Sequence, residues 1–308
     1  MSGGAGFFIA IRYLLGRAKE GGRYLRGAAA GIAVSLVPII VTLIVADGMI
    51  RGITDRYLEL GTGHVQVYDF VGARNLEEIK DEVAAQEDVR GAWIEWQGMG
   101  VLVGGKGKAG ASIRAIESGF WEEDGTAAFL EVVSGDAHFE ADNEVFLGEA
   151  LAKSIGADAG DTVRLMTVRI ASDGRSVPRM TPFTVKAVVS AGYREIDALW
   201  CITTYDAGKR LFVNAESNSN SFLLLKINDP YKNASSCVRS LYSLLGAGYG
   251  VYTWKEMQLA QYSSYESTRQ ILLFIMALIV IIAAVNVSSA TSMLSIERQK
   301  DIAALKAA

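Results

Sequence analysis

Two long apolar runs, one at residues 27–48 and the other at 272–294, limit the folds open to this chain. The first, GAAAGIAVSLVPIIVTLIVADG, is uncharged from Gly27 to Ala46; the second, LLFIMALIVIIAAVNVSSATSML, is uncharged throughout. Each is about the 20 residues a helix needs to cross the hydrocarbon core of a bilayer. Helix is the expected state, because lipid cannot satisfy open backbone N–H and C=O groups. The resulting expectation is a membrane protein of α+β class. It has transmembrane helices at 27–48 and 272–294, a large mixed α/β extracytoplasmic domain at 49–271, an amphipathic interfacial segment at 1–26 and a cytoplasmic segment at 295–308.

Basic residues set the orientation. Arg12, Arg17, Lys19, Arg23 and Arg26 precede the first span against Glu20 alone, whereas Asp47, Arg51, Asp55, Arg56 and Glu59 follow it. The positive side is expected in the cytoplasm, and Arg298, Lys300 and Lys306 after the second span agree. Both termini are then cytoplasmic and the central domain lies outside. A cleaved signal peptide fits less well, since the first run exceeds the 7–15 residues typical of a signal core. Cys201 and Cys237 fall in the external portion, where a disulfide is permitted but not required by their number and spacing.

Gly27, Gly31 and Ser35 recur every four residues and line one helical face, as do Ala284 and Ser288 in the second run. Such small-residue stripes let another helix approach closely. Pro38 removes a helical hydrogen bond near the middle of the first span and is expected to kink it. Asn286 places an amide where lipid cannot satisfy it, so it is expected to face another helix or a wet cavity.

In the external region, apolar and β-branched content suggests strands near His64 and at 99–104, 144–148, 162–170, 182–190, 199–204 and 221–227. Asn75 with Glu78 reads as a capping box ahead of a helix carrying Leu76, Ile79 and Val83. A short helix is expected at 149–155, ending before Gly156. Asp229 and Pro230 open another through Leu245, with Ala234, Val238, Leu241 and Leu245 on its buried face. GGKGKAG at 104–110 reads as a turn, and SDGRSVPRM at 172–180 as a loop between strands.

Catalytic chemistry is sparse. His64 and His138 are the only histidines and neither has metal-ligand spacing. Glu122, Glu123 and Asp124 read as a solvated acidic turn, and Tyr252, Trp254 and Lys255 as an amphipathic anchor near the membrane. Nothing points to nucleic acid.

Four stretches carry a family resemblance: FFIAIRYLLGR at 7–17, YLELGTGHVQVY at 57–68, VFLGEALAKSIGADAGDTVRLMT at 145–167 and NVSSATSMLSIERQKDIAALKAA at 286–308. The chain resembles the MacB/FtsX-like permeases of ABC transporters, and within them the lipoprotein-releasing LolC/LolE type. The resemblance implies a non-catalytic subunit whose external region is similar to a MacB-like periplasmic core domain. It also implies a cytoplasmic ABC ATPase dimer as partner, which holds the ATP and magnesium, so that no cofactor is bound directly. A second permease subunit, identical or different, a lipoprotein substrate and a periplasmic carrier complete the expected set, in a bacterial inner membrane.

By the same resemblance, Glu297, Arg298, Lys300, Asp301, Ile302 and Leu305 form the segment that meets the ATPase. Val41, Ile44, Met49 and Ile50 line the substrate cavity, and Arg175, Val177, Pro178, Arg179 and Met180 form the carrier-binding loop. Permeases of this family have four spans, so the sequence resembles one truncated after its second. MacB-like export of peptides, toxins or drugs, FtsX-like control of cell-wall hydrolases and a two-span sensor without an ATPase are the competing readings.

Overall fold

The computed structural model describes residues 21–70, 72, 75–170, 175–212, 221–257, 259–297 and 299. The chain divides into two compact units, one running from Ile53 to Leu259 and the other made from the segments on either side.

The flanking unit contains helix α1 (Gly21–Arg56), up to Gly52, and helix α10 (Leu259–Glu297), from Ala260. Within α10, Ser267–Asn286 is long and apolar enough to cross a membrane, with a mean hydropathy of 2.4, and is the one such stretch found among the described residues. It overlaps the run expected at 272–294. The run expected at 27–48 lies in α1, and Val37, Val41, Ile44, Val45 and Met49 are exposed there. Helix α1 continues through Pro38, whose carbonyl accepts a hydrogen bond from the Thr42 hydroxyl at 2.8 Å.

In the central unit, α1 winds through an exit turn of π-helical geometry (Tyr57–Thr62) and ends at Gly63, whose φ of 66° lies in the left-handed region. A Cβ there would meet the Leu224 side chain at 2.6 Å, so a glycine is needed on both counts. The chain then continues as β1 (Val65–Asp69), α2 (Leu76–Ala84), β2 (Val89–Val103), β3 (Lys108–Ile116), α3 (Gly119–Glu122), α4 (Asp124–Phe129), β4 (Glu131–Gly135) and β5 (Glu144–Gly148). It completes the unit with α5 (Glu149–Ile155), β6 (Thr162–Ile170), β7 (Ser176–Ser190), α6 (Arg194–Asp197), β8 (Trp200–Thr204), α7 (Tyr205–Phe212), β9 (Ser221–Ile227), α8 (Pro230–Leu245), β10 (Tyr249–Thr253) and α9 (Trp254–Met257).

Among the described residues the strands form one mixed sheet of order β10-β1-β9-β2-β3-β8-β5-β7-β4, with β6 bridging β2 and β7. That bridge closes a circuit, since β2, β3, β8, β5, β7 and β6 each pair with the next and β6 returns to β2. All six strands contribute to one core, including Leu102, Ile113, Cys201, Leu147, Val185 and Leu165. β2 pairs with β3, β6 and β9, and β7 with β4, β5 and β6, and each spans 15 residues. Gly100 in β2 makes one close approach possible, because a Cβ there would meet the Met166 carbonyl at 2.9 Å.

The strand expected at 99–104 is therefore the end of a longer one, whose glycines and buried Glu95 break the apolar pattern. Strands β3, β4 and β10 were not expected from local composition. Helix α8 has the expected bounds, but its buried face comprises Ala234, Cys237 and Leu241, with Val238 half-buried. Neither Asn75 nor Asp229 uses its side chain to cap the helix that follows. Helix α5 ends at Gly156 in a left-handed conformation, and 104–107 forms the turn between β2 and β3. Residues 172–180 are not one loop, because Ser176 to Met180 ladder against Ile170 to Met166. The ladder passes through Pro178 and Pro182, where β7 has no other partner among the described residues, as suits prolines in a strand.

Candidate functional site

The densest buried electrostatics lie around the exit turn. Lys226 on β9 has no solvent-exposed surface. Its ammonium lies 2.8 Å from Glu59 of the exit turn and 2.6 Å from Glu123, which precedes α4, and it also bonds the Thr126 hydroxyl. The Phe120 ring centroid is 4.8 Å away and adds a cation–π contact. Arg90 on β2 pairs with Glu123 from the other side and approaches Glu59 at 3.7 Å.

His64, fully buried, closes the cluster. The Ile227 N–H donates to its Nδ1 at 2.9 Å, and its Nε2 faces Glu59 at 3.3 Å. Burial resists ionisation of both carboxylates, but bonds from His64 and Lys226 outweigh it for Glu59 and hold its pKa down to about 2. For Glu123, bonds from Lys226 and Arg90 outweigh burial in the same way, again giving about 2.

A second buried cation grips the turn's backbone. Arg114 on β3 forms a bidentate pair with Glu95 of β2 at 2.6 and 2.8 Å and donates its remaining terminal nitrogen to the Leu60 carbonyl. Phe120, Trp121 and Trp200 surround its guanidinium. Gln66 donates to the Thr62 carbonyl at 2.6 Å, and Arg56, the last residue of α1, donates to the Ala191 carbonyl beyond β7. Asp197 organises that receiving loop by accepting bonds from the Ser190 hydroxyl and the Ala191 N–H, while burial pushes its own pKa up. Leu58 and Leu60 are buried beneath these contacts. The arrangement holds the turn in one geometry.

Local sequence did not indicate this cluster. Glu123 lies in the expected solvated acidic turn, and that reading is corrected for this residue, although Glu122 and Asp124 are exposed. The available signal was Lys226 inside the apolar run SFLLLKI, where a lysine must find a buried anion. Trp254 also departs from expectation. It is buried in the domain, donates from Nε1 to the Pro230 carbonyl at 3.1 Å and packs edge-on against Tyr231.

The other expected site residues are dispersed. Val41, Ile44 and Met49 are exposed along α1, and Ile50 is half-buried. Arg175 lies just before β7, which carries Val177, Pro178, Arg179 and Met180. On one face of the β6–β7 ladder, Met166 and Val168 stand opposite Met180 and Pro178, and Met166 also pairs across to Val101. Met99, Val168, Val177 and Met180 are exposed, and Arg179 donates to the Arg210 carbonyl at 3.0 Å. Met166, Val168 and Met180 thus make one face of the hairpin apolar and methionine-bearing, while Val177, out of phase with them, is exposed on the other. Ala284, Asn286 and Ser288 are exposed on α10. Gly27, Gly31 and Ser35 fall in α1, but their side chains lie outside the described residues, as does that of Glu297 at the end of α10. Arg298, Lys300, Asp301, Ile302 and Leu305 also lie outside them. Both cysteines are buried free thiols, and among the described residues no group of His, Cys, Asp or Glu could hold a metal.

Residues 27–233 match the family described as the MacB-like periplasmic core domain. A protein of Xylella fastidiosa strain 9a5c, described as lipoprotein-releasing system transmembrane protein LolC, is 28% identical over 97% of this chain and 72% of its own length. A protein of the same description from Neisseria meningitidis serogroup B is 26% identical over 53% of this chain and 39% of its own length. Among solved structures, the periplasmic region of MacB from Actinobacillus actinomycetemcomitans is 20% identical, covers 68% of this chain and 95% of its own, and gives a TM-score of 0.42. The extracellular domain of the transporter YknZ is 13% identical over 62% of this chain and all of its own, with a TM-score of 0.41.

Proposed function

Because the chain belongs to the family of the MacB-like periplasmic core domain, we propose that it is the permease subunit of an ATP-driven complex that removes lipoproteins from a membrane and passes them to a soluble carrier. The observation that carries this reading is the similarity, over nearly the whole chain, to proteins described as lipoprotein-releasing transmembrane subunits. In this reading α1 and α10 each cross the bacterial inner membrane, with the Ile53–Leu259 unit in the periplasm and both flanking segments reaching the cytoplasm.

Each component then has a role. A cytoplasmic ATPase dimer binds ATP and magnesium and engages the segment from Glu297 to Leu305, where a charged stretch is followed by Ile302 and Leu305. A second permease subunit packs against the small-residue stripes. Val41, Ile44, Met49 and Ile50 contact the acyl chains of the substrate. Removing those chains from lipid costs about 0.8 kcal/mol per CH₂, so extraction of a multi-chain lipid needs an external energy source. The exposed end of the β6–β7 hairpin, with Val177, Arg179 and Met180, receives the carrier. The exit turn lies where a pull on α1 would enter the periplasmic unit, and its two buried cations resist that pull.

The test is association with an ABC ATPase. The chain purified in detergent is expected to bind the ATPase that accompanies it in the cell, and Glu297→Ala with Ile302→Ala is expected to abolish binding. Binding unchanged by the double substitution would remove the coupling segment from the account.

A further inference from the structure

We infer that Lys226 is a positioning residue whose buried ammonium locks the exit turn to the sheet, so that releasing Glu59 frees the turn while the strands stay folded. Glu59 is the single charged residue in the turn YLELGT, and its carboxylate is 2.8 Å from an ammonium with no exposed surface. The turn also depends on outside donors, because Arg114 takes the Leu60 carbonyl and Gln66 takes the Thr62 carbonyl. A wide helical turn of this kind is rare and concentrates at functional positions. A buried ion pair adds little net stability over apolar packing, while it does select one geometry. The same ammonium holds Glu123 at 2.6 Å, so the start of α4 shares the lock.

Hydrogen exchange of the full chain in lipid nanodiscs tests this. In Glu59→Gln and in Lys226→Met, amides of residues 57–64 are expected to exchange at least about tenfold faster, while β3 and β5 remain protected well beyond the turn. Glu149→Gln, which breaks the exposed pair with Lys153, is expected to leave the turn protected. Unchanged protection of the turn in both lock variants, or a turn that exchanges no faster than β3 and β5, would overturn the inference. The lock's use in transport rests on the permease reading. In the complex with its ATPase, Glu59→Gln is expected to keep ATP hydrolysis and lose substrate release. Hydrolysis and release both retained would overturn the lock's part in transmission. Faster exchange in a chain that recruits no ATPase would overturn the permease reading and leave the lock standing.

Discussion

Replacing Lys226 with methionine isolates the electrostatic contribution of the buried cluster, because the new side chain keeps most of the aliphatic volume and loses only the ammonium. Glu59 and Glu123 then lose a cation at 2.8 and 2.6 Å. Removing one partner of a buried ion pair costs about 3–5 kcal/mol. Glu59 keeps His64 and Glu123 keeps Arg90, and their side chains are 15% and 16% exposed, so the lower end, about 3 kcal/mol, applies. With a urea slope of about 1–3 kcal/mol per molar, the unfolding midpoint should fall by roughly 1–3 M. Trp96, Trp121, Trp200 and Trp254 are buried in this unit and report its unfolding by fluorescence. The deficit should shrink as pH falls towards 4, because protonation removes the orphaned negative charge. The triple variant Lys226→Met, Glu59→Gln, Glu123→Gln should recover much of the loss at pH 7. A midpoint unchanged by Lys226→Met, or a triple variant as unstable as the single, would refute the reasoning.

Acid titration of the unaltered chain should show the converse. Glu59 and Glu123 ionise with pKa values held to about 2, so their contribution is complete above the ordinary value of 4.5 and is lost as pH falls from there through about 2. Far-ultraviolet dichroism against pH checks this, and Glu59→Gln should flatten the transition. Gly63→Ala should cost about 1–3 kcal/mol in thermal or urea unfolding, because it forces a Cβ into a left-handed residue and against Leu224. Trp254→Ala should cost about 3–5 kcal/mol, whereas truncating an exposed membrane anchor would leave folding intact. Cys201, fully buried and with its pKa pushed up to about 12, should resist a thiol reagent until the chain unfolds.

The parts of the fold readable from sequence were those specified by neighbouring residues. Helix α5 with its stop at Gly156, the bounds of α8 and the strand at Val65–Asp69 all follow from local periodicity and terminal residues. Features set by distant partners were not readable. Strand β3, KAGASIRAI, contains an arginine that is tolerated in the core only because Glu95 and the Leu60 carbonyl meet it there. Closure of the circuit by β6 depends on the close approach to β2 that Gly100 permits, which one strand's composition does not reveal. Glu123 and Lys226 face each other across 103 positions, so each resembles an ordinary surface charge when read alone. The exposed apolar residues of α1 and of the hairpin were identifiable as types, while their placement on a paired strand rather than a loop required the ladder with β6.

Photo-crosslinking of the substrate most directly tests the claim that this chain handles lipoproteins. A photoreactive amino acid placed at Val41 or Met49, both exposed on α1, is irradiated in native membranes. The account predicts an adduct with a lipid-modified protein that is lost when ATP and a soluble carrier are supplied. An adduct that persists under those conditions, or one formed equally by a lipoprotein lacking its acyl chains, would contradict it.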